Sequence, residues 1–158
     1  MRARIASAFV AFALLLGAAV APAGSVTNPG VYTLAARQIT TALSAEAQTA
    51  IADLDGATAV SIDVNFAYGS GGSTAVVVVQ TSLDGGTTWR DIAYFSFGTA
   101  TAVKYANVSG LTAKATGAYA ALAADGVNDG LLGNQLRAVI TTTGTYANTL
   151  VTVRASVR

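Results

Sequence analysis

The chain has 158 residues, 53% of them apolar, and contains neither cysteine nor histidine; nine basic side chains stand against eight acidic ones, for a formal charge of +1. Without thiols or imidazoles, the sequence excludes disulfide frameworks, zinc sites built on thiolate or histidine, cysteine nucleophiles and histidine-based triads. Arg37, Arg90, Lys104, Lys114 and Arg137 are scattered singly, which argues against nucleic acid as a partner.

The first stretch has the three parts of an export signal. Arg2 and Arg4 form a basic start, residues 5–20 an apolar run broken only by Ser7 and Gly17, and Ala21-Pro22-Ala23 a small-residue cleavage site. The run falls short of the roughly 20 residues that span a bilayer comfortably, so the reading is removal after Ala23 and no stable membrane span in the mature chain. Residues 24–158 then form a single domain carrying seven basic and eight acidic side chains. The alternative is that residues 1–23 are never made, or are made and kept; Met1 is the only methionine, so a later start would need another codon.

Pro29-Gly30 marks a turn, and residues 31–42 (VYTLAARQITTA) predict a first strand. Residues 44–54 admit either a helix of about three turns capped by Ser44 or a short strand, and the reading favours an edge element. In residues 57–67 the signal is clear: Val60, Ile62, Val64 and Phe66 alternate with Ser61, Asp63 and Asn65, the period of a half-buried strand. Residues 68–73 (YGSGGS) predict a flexible loop. With no helix start and no lysine, that loop is not a phosphate cradle.

Residues 75–79 and 89–97 flank a turn rich in Asp, Gly and Thr and predict a β-hairpin with a long loop. Within it, SLDGGTTW at 82–89 fits S-x-D-x-G-x-T-W through Ser82, Asp84, Gly86, Thr88 and Trp89, and so resembles the Asp-box hairpin of sialidase propellers and several unrelated β-folds. Asp84 suits a turn that takes backbone N–H donors, Gly85 and Gly86 tolerate positive φ, and Trp89 returns its ring onto neighbouring strands. The resemblance implies a folding device away from any active site. A propeller would repeat the motif in every blade, and the chain holds one copy.

Residues 99–108 predict another strand, and 109–133 an irregular stretch in which 118–124 forms a single helical turn or lies flat. Residues 125–130 (DGVNDG) look superficially like a calcium loop, but Val127 and Leu136 stand where oxygen ligands are required, so the segment reads as two turns. Leu136, Ala138 and Ile140 alternate with Arg137, Val139 and Thr141; residues 142–148 turn the chain; Val151, Val153, Ala155 and Val157 complete what reads as a C-terminal hairpin. Seven or eight strands with no crossover helix predict an all-β fold, an antiparallel β-sandwich or jelly roll.

No pair of the eight acids is marked out as flanking a scissile bond, and Lys104 and Lys114 lie in no S-x-x-K setting, so the reading is a protein that is not an enzyme and holds no cofactor or metal. The order LAARQITTAL, VSIDVNFAYGSGG, VVQTSLDGGTTWRDIAYFSF, DGLLGNQLRAVITTTGTYANT resembles small proteins encoded among the virion genes of tailed phages and prophages of alphaproteobacteria. That resemblance spans residue 34 to the C-terminus. It implies a head-decoration, head-tail or tail component, located in the virion, packing on copies of itself and other virion proteins through sheet edges and loops. The export-like start departs from that pattern. It leaves open an exported, periplasmic or extracellular β-sandwich binding module, in which Tyr68, Tyr94, Tyr105, Tyr119 or Tyr146 would stack on glycan rings.

Mass spectrometry of the protein made in a bacterium with an export pathway should find Gly24 as its N-terminus. An intact Met1 end on the folded product would contradict removal.

Overall fold

The structure, a computed structural model, describes residues 29–158; the signal-like segment 1–23 and its cleavage point lie outside the described residues. Ten strands follow in chain order: β1 Gly30–Ile39, β2 Glu46–Ala47, β3 Ala59–Ala67, β4 Ser70–Gly71, β5 Thr74–Ser82, β6 Arg90–Phe97, β7 Ala102–Ser109, β8 Gln135–Thr143, β9 Tyr146–Ala147 and β10 Thr149–Val157. The fold is all-β, with no helix among the described residues, and each strand pairing is antiparallel.

Eight strands form two four-stranded sheets, ordered β1-β10-β3-β7 and β2-β8-β5-β6, and β4 pairs with β9 in a small third sheet. Alternation decides which side chains turn inward. From the first sheet, Val60, Ile62, Val64 and Phe66 of β3 and Val151, Val153, Ala155 and Val157 of β10 are buried; from the second, Ala75, Val77 and Val79 of β5 and Leu136, Ala138 and Ile140 of β8. These residues belong to one cluster, and the Phe66 and Phe97 rings meet across it with centroids 5.1 Å apart. The two sheets therefore face each other over a shared apolar core, in a sandwich-like arrangement.

The expected C-terminal hairpin is corrected. β8 pairs with β5 and β2, whereas β10 pairs with β1 and β3, so consecutive strands lie in different sheets. Alternation reports which face of a strand is buried; in a two-sheet fold both sheets bury that face, and the partner stays hidden. The connection is more than a turn, because β9 holds Tyr146, 3% exposed, whose N–H reaches the Thr40 carbonyl and whose hydroxyl donates to Thr74 O at 2.7 Å. The glycine loop at 68–73 is likewise structured. Ser70 and Gly71 pair with Ala147 and Tyr146, and a Cβ on Gly72 would run into the Tyr146 ring.

Irregular chain covers two sheet edges. Along β8, Gln48 and Ile51 donate to Ala138 and Leu136 at 2.8 Å, Leu136 donates back to Ile51, and Thr142 donates to Leu43 at 2.9 Å. The ambiguous stretch 44–54 is thus an edge element, with only Glu46–Ala47 regular. Along β6, Tyr94 donates to Gly126 and Asn128 to Ile92, both at 2.9 Å, with an isolated bridge joining Ala93 and Val127. Residues 118–124 form no helical turn but lead into this edge cover. An uncovered strand edge invites pairing with another chain, and these segments remove that option along β6 and β8.

Phe66 is fully buried between Tyr68 and Phe97, so Phe66→Ala should cost about 3–5 kcal/mol in denaturant unfolding. A loss below about 1 kcal/mol would mean that the sheets do not meet there.

Candidate functional site

The loop joining β5 to β6 is built around two side chains. Ser82, fully buried, donates its hydroxyl to Asp84 Oδ1 at 2.8 Å and accepts from the N–H groups of Gly86 at 2.8 Å and Asp84 at 3.3 Å. Asp84 in turn accepts from Thr88 N at 2.8 Å and from Thr88 Oγ1 at 2.8 Å, while Thr87 Oγ1 donates to the Asp84 carbonyl. Trp89 Nε1 donates to Gly86 O at 3.0 Å and closes the loop. Gly85 and Gly86 have φ of 68° and 93°, left-handed values that suit residues without a Cβ. All five motif residues are therefore engaged with one another, and Asp84 sits on the exposed rim of the loop rather than in a cleft.

Its hydrogen bonds, chiefly from Thr88, hold the Asp84 carboxyl at a pKa of about 2. A polar ladder continues from this turn over the outer face of the second sheet. The Arg137 guanidinium lies 4.1 Å over the Trp89 ring and donates to Gln80 Oε1 at 2.9 Å, and Gln80 Nε2 donates to Asp91 Oδ1 at 2.8 Å. Burial pushes the Arg137 pKa down from its ordinary value. Asp91 Oδ2 accepts from Leu122 N, the Asp91 N–H donates to Tyr119 Oη at 3.0 Å, and Asn128 Nδ2 donates to the Asp91 carbonyl. No role for Asp91 follows from the sequence alone; its place two residues after a motif tryptophan, at the start of a mainly apolar strand, was the available signal.

Other acids also organise backbone. Asp125 accepts from Lys104 Nζ at 2.7 Å and from Ser96 N and Oγ, which lowers its pKa. Asp129 accepts from the Ser109 N–H and from Thr112 Oγ1, with the same effect. The turns at 125–130 thus direct their carboxylates to strand ends, and among the described residues no cluster of acids that would hold a metal is present. Glu46 pairs with Arg37 at 2.7 Å.

Of the six tyrosines, the five expected as glycan platforms separate cleanly. Tyr146 is core, Tyr68 donates to Gly71 O and packs on Phe66, Tyr94 is half-buried, and Tyr119 is bonded to Asp91 beneath the Arg90 guanidinium. Tyr105 alone of the five projects almost fully, at 81% exposure. The structure does not bring the tyrosines together into a row.

Comparison with known proteins adds no family to this geometry: no family model matches the chain, and neither a curated protein nor a solved structure matches it.

Because the folded Asp84 pKa lies below the ordinary value of 3.8, its hydrogen bonds stabilise the fold fully above about pH 4, and that contribution fades as pH falls toward about 2. Asp84→Asn should therefore melt lower than the parent at pH 7, with the difference in Tm closing between about pH 4 and pH 2. A gap that stays constant through that window would contradict the assignment.

Proposed function

We propose that this chain is a non-enzymatic structural protein of a phage or prophage particle, a head-decoration, head-tail or tail component that packs on copies of itself and on other virion proteins. The strand order β1-β10-β3-β7 facing β2-β8-β5-β6 supports a jelly-roll reading, an architecture that capsid domains share with lectins. Fold alone does not assign function, so the weight falls on the surface.

The observation that carries this reading is where apolar surface remains. Val31, Val103 and Tyr105 are 73%, 58% and 81% exposed, and the register places all three on the outer face of the β1-β10-β3-β7 sheet. Between them run Thr33, Arg154, Asp63 and Tyr105, aligned across all four strands, with Arg154 directly opposite Asp63. A face that carries both an acid and a base beside an aromatic ring is self-complementary, as a two-fold contact between copies requires. With the edges of β6 and β8 covered, the likeness to virion proteins translates into packing through this face rather than through those edges.

A second reading is supported by the same tyrosine. An exported module would use the Tyr105 ring, flanked by Asp63 and Asn107, as a platform for a glycan. The two differ in what Tyr105 touches.

Sedimentation equilibrium of residues 24–158 should show concentration-dependent association, weakened about tenfold or more by Tyr105→Ser, and the protein should be found in purified particles of the producing strain. A strict monomer that is absent from particles would overturn the structural reading.

A further inference from the structure

A groove of about 500 Å³ opens between the end of the β5–β6 loop and the irregular segment 114–122. Its walls hold two cations, Arg90 and Lys114, and no carboxylate. Elsewhere the pattern differs: Lys104 shares a cavity wall with Asp125, Arg154 with Asp63, and Arg158 with Asp129. Neither Arg90 nor Lys114 is among the ion pairs of the described residues, which join Arg37 to Glu46 and Lys104 to Asp125.

Neither cation is in an ion pair, although the Lys114 ammonium acts on the Asp129 carboxylate from a distance. The Arg90 guanidinium lies 4.8 Å from the Tyr119 ring centroid and donates one bond, to the Trp89 carbonyl. Lys114 Nζ donates to Asn128 Oδ1 and to the Asp129 carbonyl. The nearest acids are already supplied with donors: Asp91 with Gln80 and Leu122, Asp129 with Ser109 and Thr112. The same groove is also lined by the apolar side chains of Leu83, Ala118 and Leu122, and Leu83 is 62% exposed. Residues 111–121 are exposed throughout, so the groove is open along one side.

We propose that this groove binds a segment of a carboxylate-bearing polysaccharide, with the carboxylate between Arg90 and Lys114 and the C–H face of the sugar ring on the apolar wall. The volume lies within the range of small-ligand sites, and the open side suits a polymer that passes through rather than a ligand that is enclosed. Two cations and several apolar side chains in one groove match a uronic acid better than they match a neutral sugar or a bare anion. The inference is independent of self-association through the opposite sheet.

Isothermal titration of the protein with a hexuronic acid oligosaccharide, its neutral counterpart and inorganic phosphate tests this. The acidic oligosaccharide should bind, more weakly as salt rises, and Arg90→Gln and Lys114→Gln should each weaken it about tenfold. Arg158→Gln, outside the groove, should leave binding unchanged, and unchanged Tm for Lys114→Gln would separate a binding loss from misfolding. Equal binding of the neutral oligosaccharide, equal binding of phosphate, no binding of the acidic one, or indifference to Lys114→Gln would each overturn the proposal.

Discussion

Two facing sheets bury their inner surfaces against each other, but nothing in that contact satisfies the amides and carbonyls along the outermost strands. That constraint shapes the rest of this protein. The core needs only alternation, and β3, β5, β8 and β10 supply it. The sides need extra chain, and residues 43–54 and 119–128 are committed to it. Each open side also carries an ion pair. Arg37 of β1 reaches Glu46 of β2, and Lys104 of β7 reaches Asp125, which also holds Ser96 of β6. The pair Arg37–Glu46 joins the sheets directly, and Asp125, outside any strand, joins them by holding both Lys104 and Ser96.

The same constraint explains how the acids are used. Asp84 gathers the β5–β6 loop, Asp91 anchors Tyr119 and Leu122 from the covering segment, and Asp125 and Asp129 tie that segment to β6 and β7. A carboxylate that accepts two or more donors is stabilised as an anion, and the lowered pKa values of Asp84, Asp125 and Asp129 follow from those donors. These acids hold chain to chain. Arg90 and Lys114 are the complement, cations placed in one groove with no acid in its wall.

Strands β3 and β10 were legible because each obeys a period of two with apolar residues on one side; Val60, Ile62, Val64 and Phe66, and Val151, Val153, Ala155 and Val157, lie on the buried face as alternation requires. The loop between β5 and β6 was legible because its hydrogen bonds are local and the spacing from Ser82 to Trp89 encodes them. Pairing was not legible. β8 and β10 read as a hairpin, and what separates them is Tyr146, whose contacts with Thr40 and Thr74 lie far away in sequence. Nor was the role of residues 109–133. Their order comes from carboxylates meeting distant amides, which leave no periodic trace.

Native-state hydrogen exchange measures most directly whether the irregular segments close the sheets. Closure of the edges by these segments means that the amides of Tyr94, Asn128, Gln48 and Ile51, which bond across the covered edges, exchange slowly, near the protection of central β5 and β10 amides. Exchange of those four amides at close to the unprotected rate, while β5 and β10 stay protected, would contradict it.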